Sequence, residues 1–194
     1  MSATNLERSA ALRRDAAEML RATGIDALLQ QHGQVAYLGS YALDLMAWPD
    51  VDVNVVLPGG QSIRRFMELC TSIAQIPTVT RVHFQNFLGE RPQGFAPGLY
   101  GGVRLRRELH WKMDLWSLDR SEAEAKQREV ERIRGQLDGE SRAAIVDAKF
   151  ALLTPEGRTP IGSGHRIYEA VLSKGLRDLE EIRQYLRDEG VEGV

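Results

Sequence analysis

Apolar residues recur at helical spacing through Leu12, Ala16, Met19, Leu20 and Ile25, with Arg and Glu between them. Residues 6–29 therefore read as helix, interrupted at Gly24 and ended by Gly33. The period then changes. Val35-Ala36-Tyr37-Leu38 is short and β-prone, a buried strand, and residues 41–48 read as a short helical connector stopped by Pro49. Val51, Val53 and Val55 alternate with Asp50, Asp52 and Asn54, the signature of a strand with two unlike faces, closed by Pro58-Gly59-Gly60. Residues 62–74 are amphipathic helix, with Ile63, Phe66, Met67, Cys70 and Ile73 on one side. Residues 78–87 return to strand.

Residues 89–102 are rich in Gly and Pro and read as a long loop suited to a lid or substrate loop. Strands at 103–107 and 109–118, a hairpin candidate, follow. Beyond them come a charged surface helix at 121–137, a more apolar core helix at 143–153, a linker at 155–164 and a helical tail at 165–187 that dips at Gly175. The order predicts an α/β or α+β core sheet with a C-terminal helical part. Residues 1–120 form the core with its N-terminal helix, and residues 121–194 the helical region.

Composition narrows this picture. Among 194 residues, Lys and Arg number 25 against 27 Asp and Glu, for a net charge of −2, and 43% of residues are apolar. A near-neutral chain disfavours a long nucleic-acid substrate, because no cation excess exists to displace counterions. The single cysteine, Cys70, excludes an intrachain disulfide and a Cys-rich zinc site, and its place on the apolar side of a helix makes it inert core. His32, His83, His110 and His165 lack metal-ligand spacing. The polar start, Met1 to Arg8, lacks the apolar run of a signal peptide, and no run of apolar residues is long enough to span a membrane. The expectation is a cytoplasmic protein with no membrane partner.

The chemistry concentrates in Leu38-Gly39-Ser40, nine further residues, and Asp50-Val51-Asp52-Val53. Strand residues i and i+2 share a face, so Asp50 and Asp52 project side by side. Adjacent carboxylates raise one another's pKa unless a cation lies between them, and oxygen-only ligands suit Mg²⁺ or Mn²⁺. A Gly-Ser after a buried strand adds close backbone approach and a hydroxyl, both suited to phosphate. The same pair also fits a plain helix cap. A third acid, Asp114, lies in Leu109–Trp116, where His110, Lys112, Asp114 and Trp116 share the face away from the core. An acid inside an apolar strand is costly unless paired or metal-bound, and a salt bridge with Lys112 explains it as readily as a metal.

This layout resembles the nucleotidyltransferase superfamily related to DNA polymerase β, particularly its small bacterial members. Their hallmark is an apolar residue, Gly-Ser, a spacer, Asp-x-acid and a later strand-borne acid. Gly39-Ser40, Asp50, Asp52 and Asp114 occupy those positions in order, and the resemblance spans residues from about 34 to 118. It implies a nucleotidyltransferase fold, a mixed central sheet flanked by helices. It also implies transfer of a nucleoside monophosphate from an NTP, with ATP as the donor, to a hydroxyl.

In that scheme Asp50 and Asp52 hold two Mg²⁺ or Mn²⁺ ions, and Asp114 ligates the nucleophile-side ion and accepts the proton. Gly39 and Ser40 grip the β- and γ-phosphates. Acceptors of this superfamily include small molecules, such as aminoglycoside- or lincosamide-type antibiotics, and protein hydroxyls.

The chain departs from the pattern at Leu43 and Pro49, where many relatives carry Arg and Ser. Lys149 resembles, more weakly, a helix lysine of relatives linked to phage defence and toxin–antitoxin systems, and as a nucleotide-binding residue it would restore the missing charge. Its plain alternative is a snorkelling surface lysine. The rival function is a binding or regulatory module, such as an antitoxin partner, that keeps the fold without turnover. Other signals reduce to ordinary structure. Arg104, Arg106 and Arg107 suit a solvated strand edge, residues 94–102 lack the Gly-Lys-Ser/Thr of a P-loop, and Ile161-Gly162-Ser163-Gly164-His165 reads as linker and helix start.

Overall fold

The computed structural model describes residues 4–194; Met1 to Ala3, the start of the polar N-terminal segment, lie outside the described residues. The element order is α1 (Asn5–Ala22), α2 (Ile25–His32), β1 (Gln34–Leu38), α3 (Gly39–Leu43), β2 (Asp50–Val56), α4 (Ile63–Ala74) and β3 (Val79–Asn86). There follow β4 (Gly98–Arg106), β5 (His110–Leu118), α5 (Arg120–Gln136), α6 (Gly139–Ala151), α7 (Ser163–Tyr168), a π-helical turn (Glu169–Ser173) and α8 (Leu179–Asp188). The protein is mixed α/β, and among the described residues no helix is long and apolar enough to cross a membrane.

The residues gather into two compact units that interleave along the chain. One comprises Arg14–Ala42 and Pro49–Val130 and carries the whole sheet; the other comprises Met1–Arg13, Leu43–Trp48 and Glu131–Val194. The sequence reading divides the chain at residue 120, where α5 begins, and contacts keep the first part of α5 with the sheet.

The sheet has strand order β1-β2-β5-β4-β3. Only β2 and β5 run parallel; the remaining neighbours are antiparallel. Its two faces differ completely. Val51, Val53 and Val55 of β2 are fully buried beside Met113 and Leu115 of β5. Helix α4 lies on this face: a side chain added at Gly101 of β4 would touch Cys70 and the Phe66 ring. Helix α2 packs beside α4 and is tied to β1 by the Tyr37 hydroxyl, which donates to Asp26 at 2.6 Å. Ser62 caps α4 by accepting from the Arg65 amide. Cys70 is buried here, and burial pushes its thiol up to about 11.

The second unit is helical. Asp138 and Ser141 form a capping box at the start of α6, and Asp178 caps α8 by accepting from Glu180 and Glu181 amides. Ser163 begins α7 and donates to the Pro160 carbonyl, which matches the linker-and-helix-start reading.

Three sequence expectations need correction. The 41–48 connector is helical only as α3, Gly39–Leu43, because the chain then passes through Asp44 in the left-handed region, at φ 57°. The long 89–102 loop is shorter than its composition suggests, since Gly98–Gly102 form the first half of β4. Two glycines there are packing residues, Gly101 under α4 and Gly102 beneath the His83 ring, and not turn residues. Lys149 is not a surface lysine either; it is 2% exposed.

Candidate functional site

Alternation along β2 and β5 assembles the second face of the sheet. Asp50 and Asp52 alternate with buried valines, and Lys112, Asp114 and Trp116 alternate with buried Met113 and Leu115. The parallel register sets Asp50 beside Lys112 and Asp52 directly beside Asp114. The three acids predicted from sequence therefore meet on one face, although β2 and β5 are separated by two other strands in the chain.

Lys112 sits among them. Its ammonium donates to Asp114 Oδ2 at 2.5 Å and pairs with Asp50 Oδ1 at 3.3 Å. Side-chain exposures of 17%, 18% and 23% for Asp50, Asp114 and Lys112 make these largely desolvated charges. Burial pushes the Asp50 carboxyl up to about 7, Asp52 and Asp114 add to the rise, and Lys112 opposes it. For Lys112 itself, burial favours losing the proton, yet Asp50 and Asp114 outweigh it and hold the ammonium above its ordinary value.

The end of β1 closes in from the β2 side. Gly39 adopts φ 58°, and a side chain there would collide with the Asp52 carboxylate. The left-handed conformation and this approach each select glycine, so the Gly-Ser signal has a local cause independent of any ligand. Ser40 follows as the second residue of α3.

On the β4 side, the Tyr100 hydroxyl donates to Asp114 Oδ1 at 2.8 Å, so both Asp114 oxygens are engaged. Burial, then the Asp114 charge, drives the Tyr100 hydroxyl well above its ordinary pKa. Tyr100 begins an aromatic group. Its ring lies 4.9 Å from Trp116, which stacks on Phe87 at 5.8 Å and touches Phe95 at 5.9 Å, while His83 meets Tyr100 edge-on at 5.4 Å. Phe95, in the loop before β4, is 46% exposed. Gln61 pins the end of that loop, donating to the Pro97 and Ser117 carbonyls at 3.1 and 3.2 Å.

Sequence reasoning found the acids, Gly39 and Ser40, and it weighed the Lys112–Asp114 pair. It misses Tyr100 and Phe95, which fall in the 89–102 segment it reads as loop, and with them the aromatic group they form with Trp116, Phe87 and His83, residues it places in strands. Lys149 lies in the other unit, on α6, where its ammonium donates to the Leu45 carbonyl at 2.7 Å and lies 3.4 Å from the Tyr168 hydroxyl. Leu43 is buried core.

Oxygen-only donors suit a hard divalent cation, and the neighbouring carboxylates of Asp52 and Asp114 that push Asp50 up are charges such an ion offsets. As the side chains stand, no three His, Cys, Asp or Glu among the described residues are grouped to hold a metal, and Lys112 lies between two of the acids. The chain matches no protein-family model and no curated protein.

Proposed function

We propose that the protein is a nucleotidyltransferase-fold enzyme that moves a nucleoside monophosphate from an NTP, with ATP as the leading donor, to a hydroxyl. The observation that carries this reading is the in-register placement of Asp52 beside Asp114, with Asp50 two residues away on the same face. The close approach of Gly39 to Asp52 supports it, since it sets the Gly39-Ser40 backbone against the acids.

In this reading Asp50, Asp52 and Asp114 would hold Mg²⁺ or Mn²⁺, and that group would supply a lowered pKa at the attacking hydroxyl and charge compensation for the leaving pyrophosphate. Gly39 and Ser40 receive the phosphates. Asp114, held from both sides by Lys112 and Tyr100, faces the incoming hydroxyl and accepts its proton. Lys112 opposes the rise of the Asp50 carboxyl and bridges Asp50 and Asp114 in the unloaded site. The acceptor is a small molecule or a protein rather than a long nucleic acid, in line with the near-neutral charge of the chain.

A second reading, a regulatory module without turnover, draws on one feature: Lys112 already bridges two of the acids. Thermal shifts with ATP, GTP, CTP and UTP, with and without Mg²⁺, separate the two. Metal-dependent stabilisation by a nucleotide, lost in Asp52→Asn, together with labelled-nucleotide transfer to a component of cell extract, is the expected result. Stabilisation by no nucleotide under any metal condition overturns the enzyme reading.

A further inference from the structure

We infer that Tyr100 is a self-modification site, whose hydroxyl takes the nucleotidyl group when no outside acceptor is bound. The inference rests on the nucleotidyl-transfer reading and adds to it the side from which the nucleophile comes and a phenolic hydroxyl as an accepted nucleophile.

Across the sheet the order is β1, β2, β5, β4. Gly39 and Ser40 stand at the end of β1, Asp50 and Asp52 on β2, Asp114 on β5 and Tyr100 on β4. Displacement at phosphorus is in line, so nucleophile and leaving group lie on opposite sides of the reacting atom. Pyrophosphate held at the β1 end puts the nucleophile toward β4. From that side the Tyr100 hydroxyl already donates to Asp114 Oδ1 at 2.8 Å, within reach for general-base catalysis. The Tyr100 ring is fixed against Trp116 at 4.9 Å and near Phe87 at 6.3 Å, so the hydroxyl is presented by a rigid group and not by a mobile loop.

The step balances without any further reagent. Tyr100 Oη forms a bond to the α-phosphorus, the bond from that phosphorus to the bridging oxygen breaks, and pyrophosphate leaves with the electron pair. The phenolic proton passes to Asp114. The product is a phosphodiester between Tyr100 and the nucleoside.

The test incubates the purified chain with each of the four NTPs and Mg²⁺, with no acceptor added. Intact mass and peptide mapping read the adduct, and thermal shift reads nucleotide binding separately. The expected result is one nucleotidyl group per chain on the peptide containing Tyr100. It is absent in Tyr100→Phe, which keeps the ring. A Mg²⁺-dependent shift with no adduct, or an adduct that maps elsewhere, overturns this inference and leaves the nucleotidyl-transfer reading standing. Absence of a shift with every nucleotide overturns both.

Discussion

Strand β2 presents two faces made from neighbouring residues of one segment. Val51, Val53 and Val55 are fully buried, on the face covered by α4; Asp50, Asp52 and Asn54 point the other way. The first face supplies apolar burial and close packing. The second gathers three acids around one lysine, an arrangement that opposes folding wherever the charges are not balanced. Apolar packing and clustered charge are thus separated by a rotation of half a turn along one strand. The valine face over-determines the position of β2, and that surplus lets the aspartate face carry unfavourable charge.

Removing packing from the first face and removing an acid from the second should then have opposite signs. The largest effect falls on the packed face. Phe66→Ala, beneath Gly101, should cost about 3–5 kcal/mol in urea unfolding, because no neighbour can fill the space of a fully buried ring.

Asp50→Asn should do the reverse and stabilise the metal-free protein at pH 8. The Asp50 carboxyl sits near 7 when folded and near 3.8 in its ordinary state. Its contribution is fully present below the lower value and is lost as pH rises toward the higher one. The gain of the variant, on the order of a few kcal/mol, should therefore shrink to nothing as unfolding is measured from pH 8 down to pH 4. A gain that is equal at both pH values would contradict the assigned cause.

Lys112→Met should destabilise at pH 8 by about 1–3 kcal/mol, since it leaves largely desolvated acids without their ammonium. Added Mg²⁺ should recover part of that loss in a thermal shift if the acids accept the ion. The smallest effect compares two tryptophans of β5. Trp111, nearly buried on the valine face, should lose about 1–2 kcal/mol as Phe, whereas Trp116→Phe on the acid face should lose under about 1 kcal/mol.

Much of the sheet could be read from the chain because a two-residue period survives wherever one face is buried and the other carries charge. Asp50, Asp52 and Asp114 stood out for that reason, and their convergence follows once β2 and β5 pair. The first half of β4 is hidden because Gly98, Gly101 and Gly102 resemble loop residues, although an added side chain would collide with Leu118 at Gly98 and with His83 at Gly102, and would press on Cys70 at Gly101. Tyr100 was lost with them. Lys149 misled in another way. It lies one helical turn beyond Ile145, on the buried side of α6, but a lysine is read as exposed unless a carbonyl is known to receive it. No periodicity reveals that the Leu45 carbonyl does so.

The parallel pairing of β2 with β5 also bears on the order in which the molecule forms. Strands β3, β4 and β5 are consecutive antiparallel neighbours whose contacts close over short stretches of chain. Asp52 and Asp114 become partners only after the whole intervening segment has been looped out. Loop closure of that length is slow compared with hairpin formation. The charged cluster therefore belongs to the late stage of folding, and repulsion among its acids should raise the rate of unfolding far more than it lowers the rate of folding.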